Sequence, residues 1–182
     1  MRLHAERTKL SAVTTEDVLV RREHADDVGP IRVVNEIAFG RSEEADLVDR
    51  LRHEAAVLAS FVAEFDDRVI GHILFSRMLI EAAHEAIPSV ALAPLAVLPT
   101  HQRRGVGSRL VQFGLAWLLA RGERSVLVLG HPQYYQRFGF STDRARLLRS
   151  PFPPDAFMAL ELVPDALDGI RGTVKYPAAF GL

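Results

Sequence analysis

Cysteine is absent from the 182-residue chain. Without a thiol there can be no disulfide framework, cysteine nucleophile, Cys-type zinc site or iron–sulfur cluster. Lysine is almost absent too: of 22 basic residues only Lys9 and Lys175 are lysines. A Gly-x-x-x-x-Gly-Lys-Ser/Thr phosphate loop therefore has no lysine to build on. No apolar run reaches the about 20 residues that a membrane-spanning helix needs. The opening MRLHAERTKL has none of the apolar character of a signal peptide, so a soluble cytoplasmic protein is expected. Neither sign of charge dominates: 22 basic and 23 acidic residues leave a net −1. No overall field exists to hold nucleic acid or an acidic membrane, and neither is expected as a partner. What the chain does have is 48% hydrophobic and 25% charged residues, an ordinary globular composition that excludes disorder as the overall state. With no repeat and no Pro/Gly/Ser-rich linker, residues 1–182 read as one domain, with 1–15 as a loosely ordered lead-in.

Periodicity outlines a mixed α/β chain. Asp17–Arg22 reads as a strand. Ile31, Val34, Ile37 and Ala38 have helical spacing that stops at Gly40, and Ser42 opens a second helix bearing Leu47, Val48 and Leu51. Val57–Phe65 and Val69–Ile80 flank the turn Asp66-Asp67-Arg68 and predict a hairpin. Val90–Leu98 is apolar throughout, as a strand covered on both faces should be, and Pro94 within it predicts an interrupted or bulged ladder. Gly105–Arg121 is a helix with Val106, Leu110, Phe113 and Trp117 along one face. Ser125–Leu129 is a strand parallel to Val90–Leu98 by the βαβ rule. Pro132–Phe138 is a short helix, while Ala156–Val163 and Thr173–Tyr176 are further strands with a helical turn at Asp165–Leu167 between them.

The chemistry concentrates in Leu95–Ser108, LAVLPTHQRRGVGS. A buried strand ends, a donor-rich basic loop follows, and Gly105-Val106-Gly107 runs straight into a helix. Glycines let a ligand approach the backbone. The helix start offers unpaired N–H groups and partial positive charge, so the combination is a cradle for phosphate or pyrophosphate. A dinucleotide fingerprint does not fit, because Leu110 stands where the third glycine belongs and six residues separate strand from Gly105. His4, His24, His53, His72, His84 and His101 show no metal-binding spacing, so no metal is expected, and no Gly-x-Ser-x-Gly elbow is present.

Gln102-Arg103-Arg104-Gly105-Val106-Gly107 matches the Gln/Arg-x-x-Gly-x-Gly/Ala motif, and the chain resembles the GCN5-related N-acetyltransferases (GNAT). Leu95-x-Val97-x-Pro99 resembles the strand before that motif, and Tyr135-Gln136-Arg137-Phe138-Gly139-Phe140 its Tyr-x-x-x-Gly-Phe segment. The stretch VLGHPQYYQRFGF resembles a bacterial YhbS-like subgroup. The resemblance is strong over residues 90–140. It implies an acyl-CoA N-acyltransferase fold, a central twisted mixed sheet with helices on both faces. It implies acetyl-CoA as co-substrate, its pyrophosphate on the amides of Arg103, Arg104, Gly105, Val106, Gly107 and Ser108. The pantetheine amides would pair with the backbone of Leu95, Ala96 and Val97. Tyr135 falls on the position of the general acid that protonates the leaving thiolate, while Tyr134 is read as packing.

The implied reaction is acetyl transfer to a primary amine by direct attack in a ternary complex, since no cysteine can carry an acetyl intermediate. Two alternatives stand beside it: a non-catalytic acetyl-CoA-binding module, and an acyltransferase using another acyl-CoA. The general base is open. No acidic residue lies in 86–99, which leaves Glu36, His72, Glu81, His84 and Glu85, with His131 read as a helix cap. The acceptor, a small-molecule or peptide amine, is expected to meet residues 26–53 and 141–156. A homodimer is compatible with the sequence.

Overall fold

The computed structural model describes residues 17–182; the expected lead-in at 1–15 lies outside them. Eight strands form one sheet: β1 (Leu19–Arg22), β2 (Val57–Phe65), β3 (Arg68–Ala82), β4 (Ala86–Val97), β5 (Ser125–Leu129), β6 (Leu148–Arg149), β7 (Phe157–Glu161) and β8 (Gly172–Lys175). The spatial order is β1-β2-β3-β4-β5-β7. All pairings along this path are antiparallel except β4–β5, which is parallel as its βαβ connection requires. β8 joins the edge of β3 that β2 leaves free, pairing Leu79–Ala82 with Gly172–Lys175, and β6 adds to β8 in parallel.

Among the described residues five α-helices accompany the sheet: α1 (Val28–Phe39), α2 (Glu43–His53), α3 (Val106–Ala120), α4 (Pro132–Tyr135) and α5 (Thr142–Ala145). Strand alternation divides the core between two faces. Phe61, Ile73 and Phe75 point to the α3 side, while Val62 and Leu74, on the same strands, join Ile31, Val48 and Leu51 of α1 and α2. On α3 the deepest stripe is Val106, Leu110, Val111, Gly114 and Leu118. Phe113, expected on the buried face, is 41% exposed and packs edge-on to Phe61 with Trp117. Gly114 explains the shift: a Cβ there would lie 2.3 Å from the Phe75 ring, so the helix comes closest to β3 at that point. Ile37, spaced as a core residue, is exposed, and the polar Asn35 is buried instead.

The hairpin turn is made by Asp66 and Asp67, both left-handed at φ 50° and 56°, as tight turns between twisted strands favour. β4 starts four residues earlier than its apolar run, at Ala86, because β3 continues beside it to Ala82. The bulge expected at Pro94 is present: Ala93 and Pro94 of β4 stand opposite Leu74 alone, between the pairs Ile73–Leu95 and Phe75–Leu92. Among the described residues no helix is long and apolar enough to cross a membrane.

Candidate active site

The parallel ladder between β4 and β5 holds three residue pairs, Val90–Val126, Ala91–Leu127 and Leu92–Val128. The bulge follows at once, and from Leu95 onward β4 is paired by β3 alone. Antiparallel pairs alternate in hydrogen bonding. Since Leu98 N–H bonds to Ile70 O, the Ala96 pair with His72 is also a bonded one. Leu95 and Val97 therefore turn their backbone groups away from β3, toward the gap left by β5. Of the three residues expected along a ligand arm, Leu95 and Val97 offer a free edge and Ala96 spends its backbone within the sheet. The Val97 carbonyl already accepts from Gln102 Nε2 at 3.0 Å, which ties the motif glutamine to the end of the strand.

Past that strand, Arg103 (φ 58°) and Gly105 (φ 82°) both take left-handed conformations. They bend the loop so that α3 starts at Val106, with Arg109 N–H making the first helical bond to Gly105 O. The N–H groups of Val106, Gly107 and Ser108 precede that bond and lie at the positive end of a 15-residue helix. Arg103 and Arg104 are exposed on the same turn. These residues fit an anionic phosphate chain, and the open β4 edge beside them fits an amide-bearing one.

The tyrosines have different surroundings. Tyr134 places its hydroxyl 2.6 Å from where a Gly107 Cβ would be, and hydrogen-bonds to Ser108. Packing is therefore only part of its role: it ties α4 to the first turn of α3. The Arg137 guanidinium carbon lies over the Tyr134 ring, 4.6 Å from its centroid, and the side chain reaches Ser108 Oγ at 3.4 Å. That puts a guanidinium on the rim of the helix start, a basic residue not among the expected ligands. Tyr135 is buried, stacked edge-on against Tyr134 and Phe140. Its ring fills the space that a Gly130 Cβ would occupy, directly beyond β5. Burial pushes its phenol well above the ordinary tyrosine range, so the group keeps its proton. His131 stands at the N-cap of α4, but its side chain makes no capping bond; only its carbonyl accepts, from Tyr134 and Tyr135 N–H.

On the face opposite α3 the parted strands open into a cleft of about 220 Å³. Phe39 and Leu47 come from the expected 26–53 region and Phe152 from 141–156. Tyr176 and Phe180 come from the C-terminal segment, which the sequence reading did not include. Among the described residues Glu44 supplies the one carboxylate of the lining. It is 15% exposed and ion-paired to Arg41. None of the five candidate bases read from the sequence lines this cleft. Glu36 pairs with Arg32 at 2.9 Å, and Glu81 with Lys175 at 3.4 Å. His84 and Glu85 are exposed in the β3–β4 turn. His72 is sealed at 0% exposure between Asn35 Nδ2 (3.1 Å) and Ser60 Oγ (3.0 Å). Burial lowers its pKa to about 3, so it has neither access nor basicity.

Parallel strands that part between a glycine-led helix start and an apolar cleft define the acyl-CoA N-acyltransferase class of folds. The chain belongs to the acetyltransferase (GNAT) family, whose model matches residues 30–140. It is 34% identical over 166 residues to the Escherichia coli (strain K12) uncharacterized N-acetyltransferase YhbS, a match covering 90% of this chain and 98% of that one. It is 42% identical over 116 residues to the uncharacterized N-acetyltransferase YjhQ of the same strain, covering 63% of this chain and 64% of that one. The crystal structure of E. coli YhbS in complex with CoA superposes with a TM-score of 0.84, covering 91% and 93% of the two chains. A Brucella melitensis GNAT family acetyltransferase in complex with acetyl-CoA, 36% identical, gives 0.75 over 90% and 97%.

Proposed function

We propose that this protein transfers the acetyl group of acetyl-CoA to a primary amine by direct attack in a ternary complex. The observation that carries the reading is the open β4 edge at Leu95 and Val97, which runs between the α3 start and the cleft. The CoA and acetyl-CoA bound by the two similar structures support the donor. In this reading Leu95 and Val97 pair with the amides of the pantetheine arm, as a neighbouring strand would. The N–H groups of Gly105, Val106, Gly107 and Ser108 hold the pyrophosphate, with Arg103, Arg104 and Arg137 adding charge around it.

Bound acetyl-CoA supplies an electrophilic thioester carbonyl at the mouth of the cleft. The amine nitrogen forms the new C–N bond there, the C–S bond breaks, and Tyr135 gives its proton to the departing thiolate. The nitrogen loses two protons overall; one is balanced by the CoA thiol and the other passes to solvent. With no cysteine in the chain, the acetyl group goes to the acceptor without a stop on a protein thiol.

The test is the thermal unfolding midpoint with and without acetyl-CoA, NADH serving as control. At one hundred times its dissociation constant, acetyl-CoA should add about 2.7 kcal/mol, which raises the midpoint by about 5–10 °C. No rise at millimolar acetyl-CoA would overturn the reading. Arg137→Ala should weaken acetyl-CoA about tenfold, measured by titration calorimetry, because it removes a charge-assisted contact at the helix start.

A further inference from the structure

From the composition of the cleft we infer that the acceptor is a monoamine with an apolar, aromatic-sized body, and that Glu44 receives its ammonium group. The inference rests on the acetyl-transfer reading and deepens it.

Phe152, Tyr176 and Phe180 form a continuous aromatic wall. Phe152 and Tyr176 meet edge-on at 5.5 Å between centroids, and Tyr176 and Phe180 meet at 4.8 Å. Phe39 and Leu47 complete the lining from α1 and α2. The wall is held in place. Arg50 Nε donates to Ala179 O at 2.9 Å, and Ala179 N–H donates to Glu54 Oε2 at 3.0 Å, so α2 clamps the segment that carries Phe180. Tyr176 hydrogen-bonds to Ser150 beside Phe152.

Among the described residues of this apolar lining Glu44 is the sole charge. Both its oxygens accept from Arg41, Oε2 from Nε at 3.0 Å and Oε1 from Nη2, and a carboxylate has about four acceptor sites, so lone pairs remain for a second donor. Arg41 itself is 59% exposed and stands on the solvent side of the pair. The carboxylate has room for one ammonium to share it with Arg41. A polyamine would bring further charges into apolar surroundings with no partner, at a large desolvation cost. An amino acid would bring a carboxylate toward Glu44. The aromatic faces favour both an apolar body and the approach of a cation. The ammonium gives its proton to the Glu44 carboxylate, which passes it to solvent, and the neutral nitrogen then attacks. The volume of about 220 Å³ suits a group the size of one side chain.

The experiment is a steady-state panel with acetyl-CoA as donor and phenethylamine, isoamylamine, spermidine and glycine as acceptors, followed by CoA release. Phenethylamine is expected to give the highest kcat/KM. Glu44→Gln should lower it about a hundredfold, leave the acetyl-CoA thermal shift intact, and move the activity optimum to higher pH, where the amine arrives already neutral. Phe152→Ala, at a half-buried position, should lower kcat/KM for phenethylamine about tenfold through the amine KM. Preference for spermidine or glycine, or no turnover of any amine, with acetyl-CoA stabilisation retained, overturns the acceptor class and leaves the donor site standing. Absence of acetyl-CoA stabilisation in the unmodified protein overturns both.

Discussion

Tyr135→Phe is expected to lower kcat by about 10²–10³-fold while leaving the acetyl-CoA midpoint shift unchanged. The variant keeps the ring that fills the space over Gly130 and stacks on Phe140, so packing survives and only the proton is lost. A departing CoA thiolate has a conjugate acid of pKa about 8.5 on the cysteine scale, and without a donor it leaves as the free anion. Because burial raises the Tyr135 phenol, loss of its proton should cause no fall on the alkaline side of the wild-type profile up to about pH 10, the ordinary tyrosine value. Single-turnover rates measured by CoA release, together with the thermal shift, decide the point. A Phe variant with wild-type kcat would show that Tyr135 only packs.

Acidification from pH 7 to pH 5 should destabilise the fold by about 2 kcal/mol through His72 alone. The folded protein holds this histidine neutral, with its pKa lowered to about 3, whereas the unfolded chain protonates it near its ordinary 6.5. The unfolded state therefore binds more protons between those values. Stability is fully present above about pH 6.5 and drains away as pH falls.

The cause is geometric. Asn35 Nδ2 donates to both Ile31 O (2.8 Å) and His72 Nδ1 (3.1 Å), so Nδ1 must accept. Nε2–H then donates to Ser60, whose hydroxyl donates to Glu23, itself paired with Arg52 at 2.9 Å. A second proton on the ring would face the Asn35 amide donor and add charge near Arg52. Chemical denaturation at both pH values should show this slope in the wild type and a much flatter one in His72→Gln. His101, also lowered by burial and by Arg104, leaves a smaller residue of it. Equal slopes in the two proteins would dismiss His72 as the source.

How much of this could be read from residues alone follows from where the information lies. β2 and β5 have the bounds their apolar runs predict, and the glycine-led start of α3 is written in consecutive residues. The parting of β4 from β5 was foreshadowed by Pro94, because a residue without N–H interrupts a ladder wherever it stands. Glu44 was invisible for the opposite reason. Beside Glu43 in the first turn of an amphipathic helix it reads as a favourable dipole partner, and only the packing of α2 against the C-terminal segment brings it into the cleft. His72 stands among the open base candidates because its partners Asn35 and Ser60 lie 37 and 12 residues away, too far along the chain for a local pattern to reveal a buried structural histidine. Arg137 sits inside a recognised motif, yet its value comes from stacking on Tyr134. Short late elements such as α5 and β6 carry too few residues for any period to show.

The placement of β8 has a consequence for how the protein is made. Its four residues, Gly172–Lys175, pair with Leu79–Ala82, laid down about ninety positions earlier. Tyr176 and Phe180 follow directly behind. A chain growing from the ribosome can assemble the β2–β3–β4 meander and the α3 crossover first, with one edge of β3 left bare. The open β4 edge can thus be in place before the aromatic wall of the cleft exists, since that wall needs residues 172–180 to have cleared the exit tunnel.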